Sequence, residues 1–227
     1  MATVFKGDGP SVLRGVPYDW YARLRDETGN RHLRMTYTDG VLEIMSPEFR
    51  HEKNAEQIGM IVRAVASAFA IGCIGARCTT IRRGARGTRR GQGKEPDASF
   101  YFAHAAAVRG KETIDPDTDP PPDLWVEVDN RGSSRGRLPL YAALGVPEVW
   151  RLRARRGTLW FGRLEGNAYV EIGQSLSLPM VTPGLILALL DRASESPDET
   201  AWDDWMRDWL RHTFKPACEA GGGPVLP

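Results

Sequence analysis

Apolar residues recur in two rhythms along this chain, and each change of rhythm marks an element. Ala55, Ile58, Val62, Val65 and Phe69 follow one another three or four residues apart. That spacing predicts an amphipathic helix. His51 and Glu52 extend the stripe toward its N-terminal end, while Glu56 and Arg63 fall on the other side. Ser46-Pro47 supplies a helix start, because the first turn does not need the N–H that proline lacks. Gly72 and Gly75 are expected to end the helix. Elsewhere the rhythm is two. HLRMTYTDGVLEIMS alternates on both sides of Asp39-Gly40, a dipeptide that tight hairpins favour. The segment from Tyr18 reads as a short helix. A strand over 77–82 precedes a Gly/Arg loop over 82–94. EPDASFYF then places Ala98, Phe100 and Phe102 on one face and Asp97, Ser99 and Tyr101 on the other.

The second half continues in the same way. Residues 103–123 are rich in Pro and Asp and carry no core pattern. A strand follows in DLWVEVDN. SSRGRLPLYAALG reads as a short helix ended by Gly145. Residues 146–152, 159–164 and 168–172 are three more strands. The chain finishes with a Trp-rich helix, AWDDWMRDWLRHTF, and a GGGPVLP tail expected to be disordered. No internal repeat is present. Helices and strands in mixed order argue for an α/β sandwich around one sheet. Residues 1–190 are expected to form the body, and 191–227 a C-terminal helix with a flexible tail.

Composition narrows the function classes. With 227 residues and 41% hydrophobic content, the chain can bury a sizeable core. Formal net charge is +1, so nothing global advertises a nucleic-acid or membrane partner, and any such partner must be read from local patches. Cys73, Cys78 and Cys218 have no zinc-ligand spacing with the histidines and read as reduced thiols. The first residues lack a charged segment followed by an apolar core, and the longest apolar run is too short to span a bilayer. A cytoplasmic protein with no membrane contact is the expectation.

The strand DLWVEVDN raises the chemical question. Leu124, Val126 and Val128 point one way, and Trp125, Glu127 and Asp129 the other. Two carboxylates on one face repel, so on alternation alone the face is either wet or holds a cation. Pro96-Asp97 followed by Glu127 on a second strand resembles the PD-(D/E)XK nuclease pattern. DGVLEIMSPEFRHE, EPDASFYF, DPPPDLWVEVDN and LYAALGVPEVW, in that order, resemble the restriction-endonuclease-like Uma-two family over about 37–178. The resemblance implies a restriction-endonuclease-like mixed β-sheet flanked by helices, here with an N-terminal hairpin and a C-terminal helix.

It also implies a site. Phosphodiester hydrolysis needs a hard cation to polarise phosphate and supply hydroxide. Asp97 and Glu127 would each give one oxygen to Mg2+ or Mn2+, and the backbone carbonyl of Val128 a third. Glu52 is the helix-borne acid of the resembling nucleases, with Glu43 a second choice. His51 would contact phosphate or orient water. The third letter of the pattern, normally Lys, is Asp129 here, an extra metal ligand or a holder of water. Arg137, on the next helix, stands in as the electrostatic stabiliser, and being always protonated it cannot serve as a base. Arg82, Arg83, Arg86, Arg89, Arg90 and Lys94 would track phosphates, with glycines letting the backbone approach closely. Trp202, Trp205, Met206 and Trp209 form a helical stripe that packs on the body or, alternatively, makes a homodimer or partner surface. The reading is a divalent-metal-dependent endonuclease acting on DNA. A catalytically silent nuclease fold that binds nucleic acid or protein is its alternative, and an accessory protein with a partner-binding tail is the third.

Overall fold

The computed structural model describes residues 11–27, 33–45, 48–77, 79–130, 134–221 and 226. The Ser46-Pro47 helix start, Cys78 and most of the C-terminal tail lie outside them. The chain opens with strand β1 (Ser11–Arg14) and helix α1 (Tyr18–Asp26). β2 (Arg34–Thr38) and β3 (Val41–Met45) form the expected hairpin. Asp39 and Gly40 both have positive φ, 43° and 91°, as a two-residue turn that follows the strand twist requires. Helix α2 (Phe49–Ala68) then turns its apolar stripe inward, with Ile58, Ile61, Val62 and Val65 fully buried.

Short strands β4 (Ile74–Gly75), β5 (Ile81–Gly84), β6 (Gly91–Lys94) and β7 (Ala98–Tyr101) follow. After them come helix α3 (Ala105–Val108) and strand β8 (Leu124–Asp129). Helix α4 (Leu138–Ala143) leads to β9 (Glu148–Arg153), β10 (Thr158–Glu165) and β11 (Ala168–Ile172). Helices α5 (Pro183–Glu195), α6 (Glu199–Trp209) and α7 (Lys215–Glu219) close the chain.

A six-stranded sheet runs β11-β10-β9-β8-β7-β4, and a five-stranded sheet runs β1-β3-β2-β6-β5. The first is mixed, because β8 and β9 are parallel while the remaining pairs are antiparallel. This is the anticipated mixed sheet flanked by helices. Beside it stands a second, wholly antiparallel sheet that the apolar pattern did not separate out. The main core lies between α2 and the mixed sheet, where Ala98, Phe100, Leu124, Val126 and Val128 meet Ile58 and Val62. Trp202, Met206, Leu210 and Phe214 belong to the same cluster. Among the described residues no helix is long and apolar enough to cross a membrane, and Cys73 and Cys218 are free thiols.

Two segments differ from expectation. The Gly/Arg stretch is not a loop but the β5–β6 hairpin, paired from Ile81↔Lys94 to Gly84↔Gly91. Gly84 and Gly93 face protein: a Cβ on Gly84 would come within 2.4 Å of the Tyr18 ring, and one on Gly93 within 2.3 Å of the Tyr21 hydroxyl. These two make room for α1. The Pro/Asp-rich connection, read as coreless, carries α3, whose Ala105 and Val108 pack against Tyr101.

Candidate active site

The site forms where the chain passes from one sheet to the other. β6 ends at Lys94, and β7 begins at Ala98. Ala98 pairs with Val126, and the Asp97 N–H donates to the Val126 carbonyl at 3.1 Å. The same register carried one residue further sets Asp97 opposite Glu127. Residues opposite one another in a ladder share a face, so the two carboxylates converge. The Val128 N–H donates to Asp97 Oδ2 at 2.7 Å, and His51 Nε2 stands 3.1 Å from the same oxygen.

Lys94 completes the group. Its Nζ lies 3.1 Å from Glu127 Oε2 and donates to the Glu95 carbonyl at 3.0 Å. Trp125 Nε1 donates to Glu127 Oε1 at 2.5 Å, and its ring stacks on Tyr141 with centroids 5.3 Å apart. Burial pushes the Glu127 pKa up, with the Lys94 charge opposing it and the Asp97 charge adding to it. Burial would also raise Asp97, but its hydrogen bond to His51 and the Lys94 charge outweigh that and hold it low. For His51, burial favours the neutral ring, yet the bonds and charges of Asp97 and then Glu52 raise its pKa to about 9.

Glu127 and Asp129 do not share a wet face: they are 3% and 8% exposed. That face is dry because Ile81 of the second sheet packs there with Trp125, Leu140 and Tyr141. The repulsion is relieved by two separate protein cations. Asp129 Oδ2 pairs with Arg151 at 2.8 Å and accepts from the Ser134 hydroxyl at 3.2 Å, while Oδ1 accepts the Ser134 N–H at 2.8 Å. Arg137 meets Glu43 at 2.6 Å, and its charge also lowers Glu127. His51 links Glu52 to Asp97. His51 Nδ1 is 3.3 Å from Glu52 Oε1, and Arg34 Nη2 is 3.3 Å from both Glu52 oxygens. Among the described residues, no three His, Cys, Asp or Glu side chains gather closely enough to hold a metal by themselves.

The arginines expected to track phosphate are spread over the β5–β6 hairpin. Arg82 pairs with Asp26 at 2.9 Å and Arg83 with Asp117 at 3.1 Å. Arg86, Arg89 and Arg90 are exposed near the turn. Lys94, grouped with them by sequence, is 7% exposed and lies among the carboxylates. Glu95 was missed altogether. It is 2% exposed, pairs with Arg25, accepts from the Thr80 hydroxyl at 3.0 Å and lies 3.6 Å from Arg34 Nη1. A cavity of about 80 Å3, lined by Arg34, Glu52, Glu56, Arg63 and Arg77 among others, opens onto Asp97.

This arrangement has relatives. No curated protein matches the chain. Among solved structures it is similar to "a putative nuclease belonging to DUF820 from Anabaena variabilis ATCC 29413". The TM-score is 0.48 and the identity 14%, over 84% of this chain and 99% of that one. The Uma2 family, described as "Putative restriction endonuclease", matches residues 19–190. With most of its length inside that match, the chain belongs to the Uma2 family of restriction-endonuclease-like proteins.

Proposed function

We propose that the chain is a divalent-metal-dependent endonuclease that hydrolyses phosphodiester bonds in DNA. The observation that carries this is the convergence of Asp97, Glu127 and Lys94, two acids and an ammonium drawn from three adjoining strand ends. A buried Lys–Glu pair is poor value for stability, since desolvation offsets its attraction. Its presence beside a second carboxylate is what a phosphoryl-transfer centre requires.

Asp97 and Glu127 would hold Mg2+ or Mn2+, with the Val128 carbonyl as a third donor. The donor set fits such an ion. It is all oxygen, and Mg2+ needs only one or two carboxylates because waters and phosphate oxygens complete its shell. The Val128 N–H and His51 both bond Oδ2 of Asp97, so Oδ1 is the oxygen that would take the ion without exchanging either. Bound there, the cation would polarise the phosphate and lower the pKa of a coordinated water. The protein's own groups do the rest. His51 and the Val128 N–H keep Asp97 ionised and fix its orientation. Lys94 neutralises charge developing on the phosphoryl oxygens, the part left open by Asp129 in the motif. Arg137, parked on Glu43, adds a second positive charge. Glu52 orients His51, and Asp129 braces β8 and β9 through Arg151.

The silent-binder reading has one observation in its favour. Asp97, Glu127 and Asp129 each already hold a protein cation. Calorimetry with Mn2+ and nicking of supercoiled plasmid separate the two. The wild type is expected to bind and nick, and Asp97→Asn to lose both. Lys94→Gln should keep binding but lose at least ~10²-fold in nicking rate, the usual cost of deleting one donor at a developing charge. A folded wild type that binds no metal would leave the binder reading standing alone.

A further inference from the structure

Phe49 is the first residue of α2 and is 85% exposed, more than any other large apolar side chain among the described residues. Its position explains why that matters. The cavity that opens onto Asp97 shares Glu52, Glu56 and Arg77 with a second cavity of about 490 Å3, which Phe49 and Lys53 line. Sharing those residues, the two cavities adjoin, and the groove they make has Asp97 in the lining of one part and the exposed Phe49 ring in the lining of the other.

Arg77 lines both cavities, and Arg63 lines the one that holds Asp97. Arg63 Nη2 and Arg77 Nη2 approach Glu56 at 3.5 Å and 3.4 Å, and their side chains are 41% and 73% exposed. Ion pairs so exposed contribute little and exchange readily for another anion. Gly59 and Gly75 leave space where Arg63 lies across the wall, since a Cβ on either would stand 3.4 Å from its guanidinium. Arg63 also sits 6.0 Å from the Phe100 ring centroid, which holds it over the cavity.

We infer that this groove holds one unstacked nucleotide of the substrate strand, its phosphate on Arg63 and Arg77 and its base on the Phe49 ring. The inference rests on the endonuclease reading above and adds to it a preference for unpaired strand. A second cavity of this size suits a base with its sugar. A base in a duplex presents its edge, whereas stacking on Phe49 needs its face, so the nucleotide must leave the helix or come from a single strand. Guanidinium pairs on the phosphate supply affinity without reading sequence.

Fluorescence anisotropy with labelled single-stranded and duplex oligonucleotides, in DNA and RNA forms, tests it on the full chain in EDTA. Circular dichroism confirms that each variant is folded. Phe49→Ala should weaken single-strand binding about tenfold, the scale of one lost base stack. Duplex binding should change less than twofold, and Phe49→Trp should restore the loss. Arg77→Ala should weaken binding of both forms. A Phe49→Ala Kd within twofold of wild type for single strands, or an equal loss on duplex, overturns the inference. The first result would point to Phe49 as a contact for a protein partner, the second to a contact with duplex as well as single strand. Wild type that binds neither form in EDTA overturns the nucleotide groove, and wild type that also fails to bind with Mn2+ present overturns the endonuclease reading as well. Wild type that nicks plasmid while Phe49→Ala binds normally removes only the nucleotide groove.

Discussion

Asp129 and Glu127 leave the same face of β8 two residues apart, yet their surroundings assign them different work. Asp129 is closed off by Arg151 and both donors of Ser134, a ring that bridges β8, β9 and the turn before α4. Removing its charge takes from the buried Arg151 guanidinium the carboxylate it pairs with, while its bond to Ser134 Oγ remains, and breaking a buried ion pair costs about 3–5 kcal/mol. Asp129→Asn is therefore expected to shift the urea midpoint strongly downward while leaving the Mn2+ affinity of the folded fraction unchanged. An affinity loss as large as that of Asp97→Asn would show that Asp129 reaches the metal after all. His51 gives the second test at this scale. Its pKa stands at about 9 against 6.5 for a free ring, because Asp97 and Glu52 outweigh its burial. A group raised in this way adds stability that is fully present below pH 6.5 and is lost as pH climbs through about 9. In metal-free protein, stability by urea titration should fall between those limits, and His51→Gln should flatten the fall. A wild-type curve that is level from pH 6.5 to 9 would mean that His51 is not charged against Asp97.

At the scale of elements, the β5–β6 hairpin shows how composition can mislead. Six basic residues and several glycines between 82 and 94 read as a solvated, phosphate-tracking loop. Gly84, Gly91 and Gly93 are there because α1 lies on the hairpin with Tyr18 and Tyr21, and the basic run ends in a buried lysine. Gly93→Ala would drive a methyl to within 2.3 Å of the Tyr21 hydroxyl in a strand with no room to move. Overpacking of this kind costs about 1–3 kcal/mol. Gly173→Ala, where nothing lies within 4 Å, should stay within about 0.5 kcal/mol of wild type. Equal thermal midpoints for the two variants would contradict the packing account. The same hairpin shows what sequence could and could not reveal of the site. Asp97 and Glu127 were legible because strand alternation fixes which side chains share a face, and α2 was legible from its stripe. Lys94 was not, since only the pairing of β6 with β2 and β5 turns its side chain inward. Glu95 was not, because its partners Arg25, Arg34 and Thr80 come from three distant segments.

For the whole molecule, the C-terminal helices decide whether the site has a rigid frame. The stripe Trp202, Met206, Leu210 and Phe214 packs into the core that also holds α2 and the mixed sheet, so the end of the chain shares the core of the body. Trp202 is fully buried, and its Nε1 donates to the Leu189 carbonyl at 3.1 Å. Trp205 lies under Arg192 at 5.1 Å, and Trp209 stacks on Phe214 at 5.3 Å, so these half-buried rings are also used within the chain. Periodicity picked out Trp202 and Met206 of this stripe and packing on the body, but neither Leu210 and Phe214 nor α2 as the neighbour, because contact between segments far apart in the chain leaves no local trace: Gln57 on α2 bonds Glu199 on α6 at 3.2 Å. Because α2 carries His51 at one end and meets α6 further along, loosening α6 should be felt at Asp97. Trp202→Ala removes a buried indole and a hydrogen bond, at a cost of about 3–5 kcal/mol. The expected result is a single, cooperative thermal transition at a lower temperature, with Mn2+ binding lost in parallel with the fold. Two separate transitions, with metal binding surviving the first, would instead make the C-terminal helices an appendage that the catalytic body does not need.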